Sequence, residues 1–337
     1  MNIFLNIFFS ILLIISLNFF FLKKNFLVDK KKLSHKSLVS KDLVPLTGGF
    51  AIISTLFILN NNYLIFFFLI FFMGVLSDLF ILRNPVKKLF IQSFVILTFI
   101  YFSGIRVLDT KINFLDYLLQ YEMFGFLFIT ICLLVLMNGS NFMDGINTFV
   151  CGYFILVLLC VLYIGEKHKL LYNFNDYYYL FTTLIVIFFF NSFSKIYLGD
   201  SGSFLLSFVV GYYLIELFNN NLHLLKSISS IFVILLLWYP AFENFFSIIR
   251  KLIEKKGPTS PDNLPLHQLL FLFLKRRIKL KVNFLNTLTG CIINVYNLFI
   301  LTLGSQFYYH TKYLISLICF NILVYVAAYV YFRAKLV

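Results

Sequence analysis

The chain of 337 residues is 61% hydrophobic and only 12% charged, with a mean hydropathy of +0.92. That balance excludes a soluble globular domain and describes a chain built for lipid. Its 28 Lys and Arg stand against 14 Asp and Glu, an excess that in a membrane protein marks loops beside an anionic leaflet and argues against nucleic acid as a partner. Cys132, Cys151, Cys160, Cys291 and Cys319 all lie inside apolar runs without CxxC spacing. They imply neither a disulfide framework nor a zinc site.

About 20 apolar residues cross a hydrocarbon core, and tilted or broken spans can be shorter. On that rule the chain carries about eleven candidate transmembrane helices, at roughly 3–22, 46–59, 63–76, 89–103, 123–137, 148–164, 177–193, 203–218, 228–249, 284–304 and 312–332. No run shows the alternating pattern of a membrane barrel, so the expected fold is an all-α polytopic membrane protein, one domain over 1–337. The first run has no basic residue before it and Lys23-Lys24 after it, the reverse of a secretory signal, which predicts a retained span with its N-terminus outside. Threading the spans from there places 22 of the 28 Lys and Arg in inner loops and a cytoplasmic C-terminal tail. Arg106, Lys111, Lys167, Lys169, Lys226 and Lys312 fall outside. That asymmetry is the positive-inside pattern and supports the threading.

The same threading collects the polar islands on the inner face. They are Ser77-Asp78 at the end of the third run, Asn138–Asn141–Asp144-Gly145 after the fifth, Lys195 with Gly199-Asp200-Ser201-Gly202 before the eighth, and Pro261-Asp262 to His267 after the ninth. The first loop, with Asp29, His35 and Gly48-Gly49, joins them. Carboxylates at span ends are costly unless they pair, hydrate or bind something. Oxygen-only donors in a Lys-rich face suit Mg2+ or Mn2+. Such an ion would neutralise a diphosphate, and glycine turns at helix starts let backbone N–H groups approach phosphate.

At these residues the chain resembles the polyprenyl-phosphate N-acetylhexosamine-1-phosphate transferases of glycosyltransferase family 4. Asn138-x-x-Asn141-Phe142-x-Asp144-Gly145 is similar to the family's N-x-x-N-F-x-D-G motif. Phe190-Asn191 followed by Lys195-x-Tyr197-x-Gly199-Asp200-x-Gly202-Ser203 is similar to its F-N…K-x-F-x-G-D-x-G-S segment, and Asp29…His35…Gly48-Gly49 to its first inner loop. The resemblance implies an enzyme of the bacterial inner membrane with its active site on the cytoplasmic face. It would pass a sugar 1-phosphate from a UDP-N-acetylhexosamine to undecaprenyl phosphate, release UMP, and start a cell-surface polysaccharide such as O-antigen. It implies Asp200 and Asp144 as ligands of Mg2+ (or Mn2+), and catalytic roles for Asp78, Asp144, Asp200 and His267. Lys88, Asn138, Asn141, Lys195, His35, Gly48 and Gly49 would hold substrate. Membrane lipids surround it, and a homodimer is left open.

Three positions depart from the family pattern. Ser77-Asp78 stands where relatives commonly carry two aspartates, one of them proposed as the base for the lipid phosphate. That phosphate, with a second pKa near 6, is already largely ionised at pH 7. Asn147 replaces a second carboxylate after Asp144-Gly145. Pro265-Leu266-His267-Gln268 keeps one histidine of a fuller run, which points away from the peptidoglycan enzyme and towards a surface-polysaccharide initiator. Two other readings stay open: a polytopic transporter or flippase of lipid-linked sugars, and a degenerate relative without activity.

Overall fold

The computed structural model describes residues 3–28, 43–168, 174–222, 228–255, 257 and 265–336. These form α1 (Ile3–Lys24), α2 (Gly48–Ile58), α3 (Leu64–Asp78), α4 (Pro85–Ser103), α5 (Asn113–Leu119), α6 (Glu122–Met143), α7 (Phe149–His168), α8 (Asn175–Ser192), α9 (Gly199–Asn220), α10 (Ser230–Leu236), α11 (Trp238–Ile253), α12 (Leu266–Arg277), α13 (Val282–Gln306) and α14 (Thr311–Leu336). The protein is an all-α, multi-pass membrane protein. Ten of the eleven expected runs are each covered largely by one helix, and the run 228–249 is split between two. Among the described residues seven helices are long and apolar enough to cross a membrane: α1, α4, α6, α7, α9, α13 and α14. The pair α10–α11 makes an eighth if counted as one span. Helices α2 and α3 are apolar but shorter, and the apolar run of α8 is flanked by Asn175-Asp176 and Asn191.

Two differences from the sequence reading have plain causes. The run 228–249, expected as one helix, is broken into α10 and α11 with a 71° bend. Pro240 sits in the first turn of α11, where its missing N–H costs nothing, but it would have removed a bond from a continuous helix. The stretches read as loops at 104–122 and 250–283 contain helices α5 and α12.

Helix α9 is the axis of the bundle. It is apolar on all sides and almost wholly buried, as a helix surrounded by others must be, and it packs on α2, α3 and α6. Small residues set its closest crossings. A Cβ on Gly74 of α3 would lie 2.3 Å from the Cα of Ser201, and one on Gly49 of α2 would lie 2.8 Å from the Gly202 nitrogen. At the α6–α11 crossing a Cβ on Gly139 would come 1.9 Å from the Pro240 carbonyl oxygen. Close approach through small residues is how helices associate where lipid supplies no hydrophobic drive. Buried polar pairs add to it: Asn6 of α1 donates to Thr182 (2.9 Å) and Thr183 (3.1 Å) of α8, and Thr55 of α2 lies 2.8 Å from Thr183.

The start of α4 shows how locally some ends are fixed. The Asn84 side chain accepts the N–H groups of Val86 and Lys87, Pro85 occupies the first turn, and Gly104 ends the helix at φ +63. These choices suit an N-cap, an N1 position and a left-handed C-cap.

The α3–α9 crossing predicts that Gly74→Val, which must force these backbones apart, destabilises the protein by at least about 1–3 kcal/mol. Thermal unfolding in detergent reads this as a fall of several degrees, whereas Gly104→Ala, with nothing within 4 Å, costs only its backbone strain.

Candidate active site

The chain reverses twice at the N-terminal end of α9, and both reversals are built around that helix's first turn. Gly199 has φ +71, and a Cβ there would lie 2.8 Å from Asp78 Oδ2. Only glycine satisfies both conditions. Asp78, just past the apolar run of α3, uses its two carboxylate oxygens as the cap. Oδ1 accepts the Asp200 N–H at 2.8 Å and Oδ2 the Ser201 N–H at 3.0 Å. A carboxylate is favoured there by the positive end of the helix dipole. Burial, followed by the charge of Asp200, holds Asp78 above the usual carboxylate range.

Asp200 is gripped from two sides. Its Oδ2 accepts from Ser77 Oγ at 2.6 Å and from Lys88 Nζ at 2.8 Å. The side chains of this ion pair are 23% and 17% exposed, so the pair is partly screened but reachable from the surface. The Lys88 ammonium also lies 5.3 Å from the centre of the Phe204 ring.

The Asn138–Asn147 island forms the adjoining wall, and hydrogen bonds tie it to the turn before α9. Ser203 donates to Asn141 Oδ1 at 3.3 Å. Asn191 accepts the Thr148 N–H and donates to the Ile196 carbonyl at 2.8 Å. Asn147 donates to Ser194 Oγ at 2.7 Å while its own N–H reaches Asn286 Oδ1 at 3.3 Å. So Asn147, standing where relatives carry a carboxylate, is a buried tie between the two islands. Asn138 donates to Gln92 (3.3 Å) and to the Leu134 carbonyl (2.8 Å). Asp144 caps the end of α6 and lines a small polar cleft with Gly145, Ile146, Asn147, Asn191, Tyr197 and Asn286.

His267 enters from α12. It is fully buried, its ring 5.5 Å from Phe149, and a Cβ on Gly145 would lie 3.6 Å from its Nε2. Among the described residues neither ring nitrogen has a hydrogen-bond partner. Burial, with Arg250 nearby, pushes its pKa down to about 3, so the ring is neutral.

The structure therefore brings Asp78, Lys88 and Asp200 into one contact set, and puts Asn138, Asn141, Asp144 and His267 on the neighbouring wall. Lys195 is exposed, with its carbonyl accepting from Asn18 at 3.4 Å. Gly48 and Gly49 have a packing role against Leu198 and Ser201–Gly202, and the Gly48 N–H donates to the Tyr197 carbonyl at 3.2 Å. His35, Asp29 and Asp262 lie outside the described residues. The sequence reading missed Asn286. Its signal was the row Asn286, Gly290, Asn294 and Asn297, small or amide residues on one face of an apolar helix.

Among the described residues no three His, Cys, Asp or Glu side chains cluster as a metal site. Magnesium needs no such cage. It takes one or two carboxylates, keeps waters and completes its shell with substrate phosphates. The hard oxygens of Asp200 and Asp144 fit that donor chemistry.

Fold and site together define a polytopic membrane protein with a carboxylate–lysine centre at the buried start of its axial helix. Residues 61–218 match the model of glycosyl transferase family 4. An undecaprenyl-phosphate alpha-N-acetylglucosaminyl 1-phosphate transferase of Thermotoga maritima is 27% identical over 237 residues, 66% of this chain and 67% of that protein. A protein of the same name from Yersinia pestis is 24% identical over 265 residues, 72% of this chain and 69% of its own length. The matched stretch holds the motifs that resemble glycosyl transferase family 4, and the chain is similar to members of that family.

The buried imidazole predicts an acid-sensitive fold. The His267 pKa of about 3 lies below the ordinary value of about 6.5, so on acidification the unfolded chain binds the proton first. Stability from the neutral ring is complete above about pH 6.5 and is lost progressively as the pH falls towards 3. Between about pH 7.5 and pH 5 the loss is about 2 kcal/mol. Thermal unfolding of His267→Gln at both pH values should show a distinctly smaller drop than the native chain.

Proposed function

We propose that the protein transfers an N-acetylhexosamine 1-phosphate from its UDP-sugar to undecaprenyl phosphate, releasing UMP. The observation that carries this reading is the Ser77–Lys88–Asp200 contact set on the Asp78-capped start of α9. It sits beside the Asp144 cleft within the motifs of this family. The names of the relatives, both acting on undecaprenyl phosphate with an N-acetylglucosaminyl 1-phosphate group, make N-acetylglucosamine the first sugar to test.

In this reaction a lipid phosphate oxygen attacks the β-phosphorus of the nucleotide sugar. The bond from that phosphorus to the bridging oxygen breaks, and UMP departs with the electron pair. Such chemistry asks the protein for positioning and charge neutralisation above all. Magnesium, held by Asp200 and Asp144, would supply charge neutralisation of the diphosphate and its leaving group. Lys88 and Lys195 offer ammonium groups to phosphate oxygens. The polar cleft beside Asp144 would receive the nucleotide, its walls held by the ties of Asn147, Asn191 and Asn286. Asp78, with both oxygens engaged by α9, is an ordering residue; the ionised lipid phosphate needs no base.

The charge asymmetry supports eleven spans with the N-terminus outside and the site on the cytoplasmic face of a bacterial inner membrane. The missing histidines at 265 and 268 favour a role at the start of a surface polysaccharide such as O-antigen.

The test is UMP release from a panel of UDP-N-acetylhexosamines by the purified protein with undecaprenyl phosphate. Chelation with EDTA should abolish it and added Mg2+ restore it, and Asp200→Asn should lower kcat by at least about a hundredfold. Undiminished turnover in Asp200→Asn, or no UMP release from any donor, would overturn the proposal.

A further inference from the structure

We infer that Ser77 is a positioning residue that fixes the direction of the Asp200 carboxylate, an inference that rests on the transferase reading above. The Ser77 hydroxyl donates to Asp200 Oδ2 at 2.6 Å, and the Lys88 ammonium reaches the same oxygen at 2.8 Å. An aspartate held by one donor keeps freedom about its terminal torsion. Two donors arriving from different helices, α3 and α4, remove that freedom. They determine which oxygen faces the protein wall and which turns towards substrate. Hydrogen bonds to an ionised acceptor are the strong ones, and their geometry persists.

The position of the hydroxyl is itself imposed by packing. Gly74 lies three residues before Ser77 on the same face of α3, and a Cβ there would come 2.3 Å from the Ser201 Cα. One residue after Ser77, Asp78 bonds the Asp200 and Ser201 N–H groups. Ser77 is thus bracketed by two contacts that lock α3 onto the first turn of α9. From there its hydroxyl donates to Asp200 Oδ2.

The residue type matters for the same reason. A carboxylate at 77 would confront Asp200 at hydrogen-bond distance, with Asp78 adjacent, and like charges so close cannot all stay ionised. A hydroxyl donates where a carboxylate would compete. Partners that orient a ligating carboxylate typically change metal affinity or activity by about 10–100-fold.

Metal binding without turnover gives a readout that helix packing alone would not move. The full chain in detergent is titrated with Mn2+ and free ion is followed by electron paramagnetic resonance. In parallel, UMP release is measured across Mg2+ concentrations. Ser77→Ala should weaken Mn2+ binding about tenfold or more and raise the half-saturating Mg2+ by a similar factor. The pair Ser77→Thr and Ser77→Val, equal in volume and differing in the hydroxyl, controls for packing. With matched unfolding temperatures, Thr should restore both readouts and Val should not. Equal Mn2+ affinity in Thr and Val variants, while Asp200→Asn abolishes binding, would overturn the role of Ser77 alone. Unchanged Mn2+ affinity in Asp200→Asn would overturn the metal assignment and this inference with it.

Discussion

The first turn of α9 exposes backbone N–H groups in the middle of an apolar bundle, and a helix start buried there must find acceptors. Asp78 supplies them. Its two oxygens take the Asp200 and Ser201 N–H groups, and much of the packing at this end of α9 follows from that contact. It brings α3 against α9, requires glycine at 74 and 199, and leaves the Asp200 side chain pointing to where α3 and α4 offer Ser77 and Lys88. Structural need and chemical use thus share one turn. The same carboxylate that closes the helix prevents its neighbour from being an ordinary surface aspartate.

Around this junction the polar groups fall into two kinds. Some are ties: Asn147 to Ser194, Asn191 to Thr148 and Ile196, Asn294 to the Thr148 carbonyl. These are buried and hold two chain reversals in register. Others are buried without partners among the described residues, including both nitrogens of His267 and the Gln268 side-chain amide oxygen. Buried polar groups are normally paired, and exceptions concentrate at functional places. The neutral state of His267 follows from the same burial, so this ring meets its neighbours as an uncharged donor and acceptor, while the cationic work at the junction falls to Lys88.

The sequence revealed the helices and the islands because each carries a local signal. Long apolar runs mark spans, and amides, glycines and carboxylates between them have no reason to be there except turns or chemistry. Through the order of its motifs it also carried the resemblance to glycosyl transferase family 4, whose model matches residues 61–218. What stayed hidden are the pairings across the chain. Ser77 meets Asp200 over 123 residues and Asn147 meets Asn286 over 139, and one sequence holds no record of such distances. Ser77 therefore read as a loss relative to two aspartates, whereas in space it is a donor to the carboxylate that remains. Asn147 likewise read as a missing charge and proves to be a tie. Gly48 and Gly49, expected to face phosphate, have their close contacts with α9. The bend at Leu237 was hidden because composition alone joins α10 to α11. Helix α12 was hidden because its apolar turn is set in a basic loop.

The central claim is that the start of α9 is the place where metal, nucleotide and lipid phosphate meet. Anomalous diffraction from crystals grown with Mn2+ and UMP tests it most directly. The account predicts a manganese peak at ligating distance from the Asp200 carboxylate, with the UMP phosphate beside it and the nucleoside towards the Asp144 cleft. A manganese ion and nucleotide bound together elsewhere, with the Ser77–Lys88–Asp200 contacts undisturbed, would contradict it.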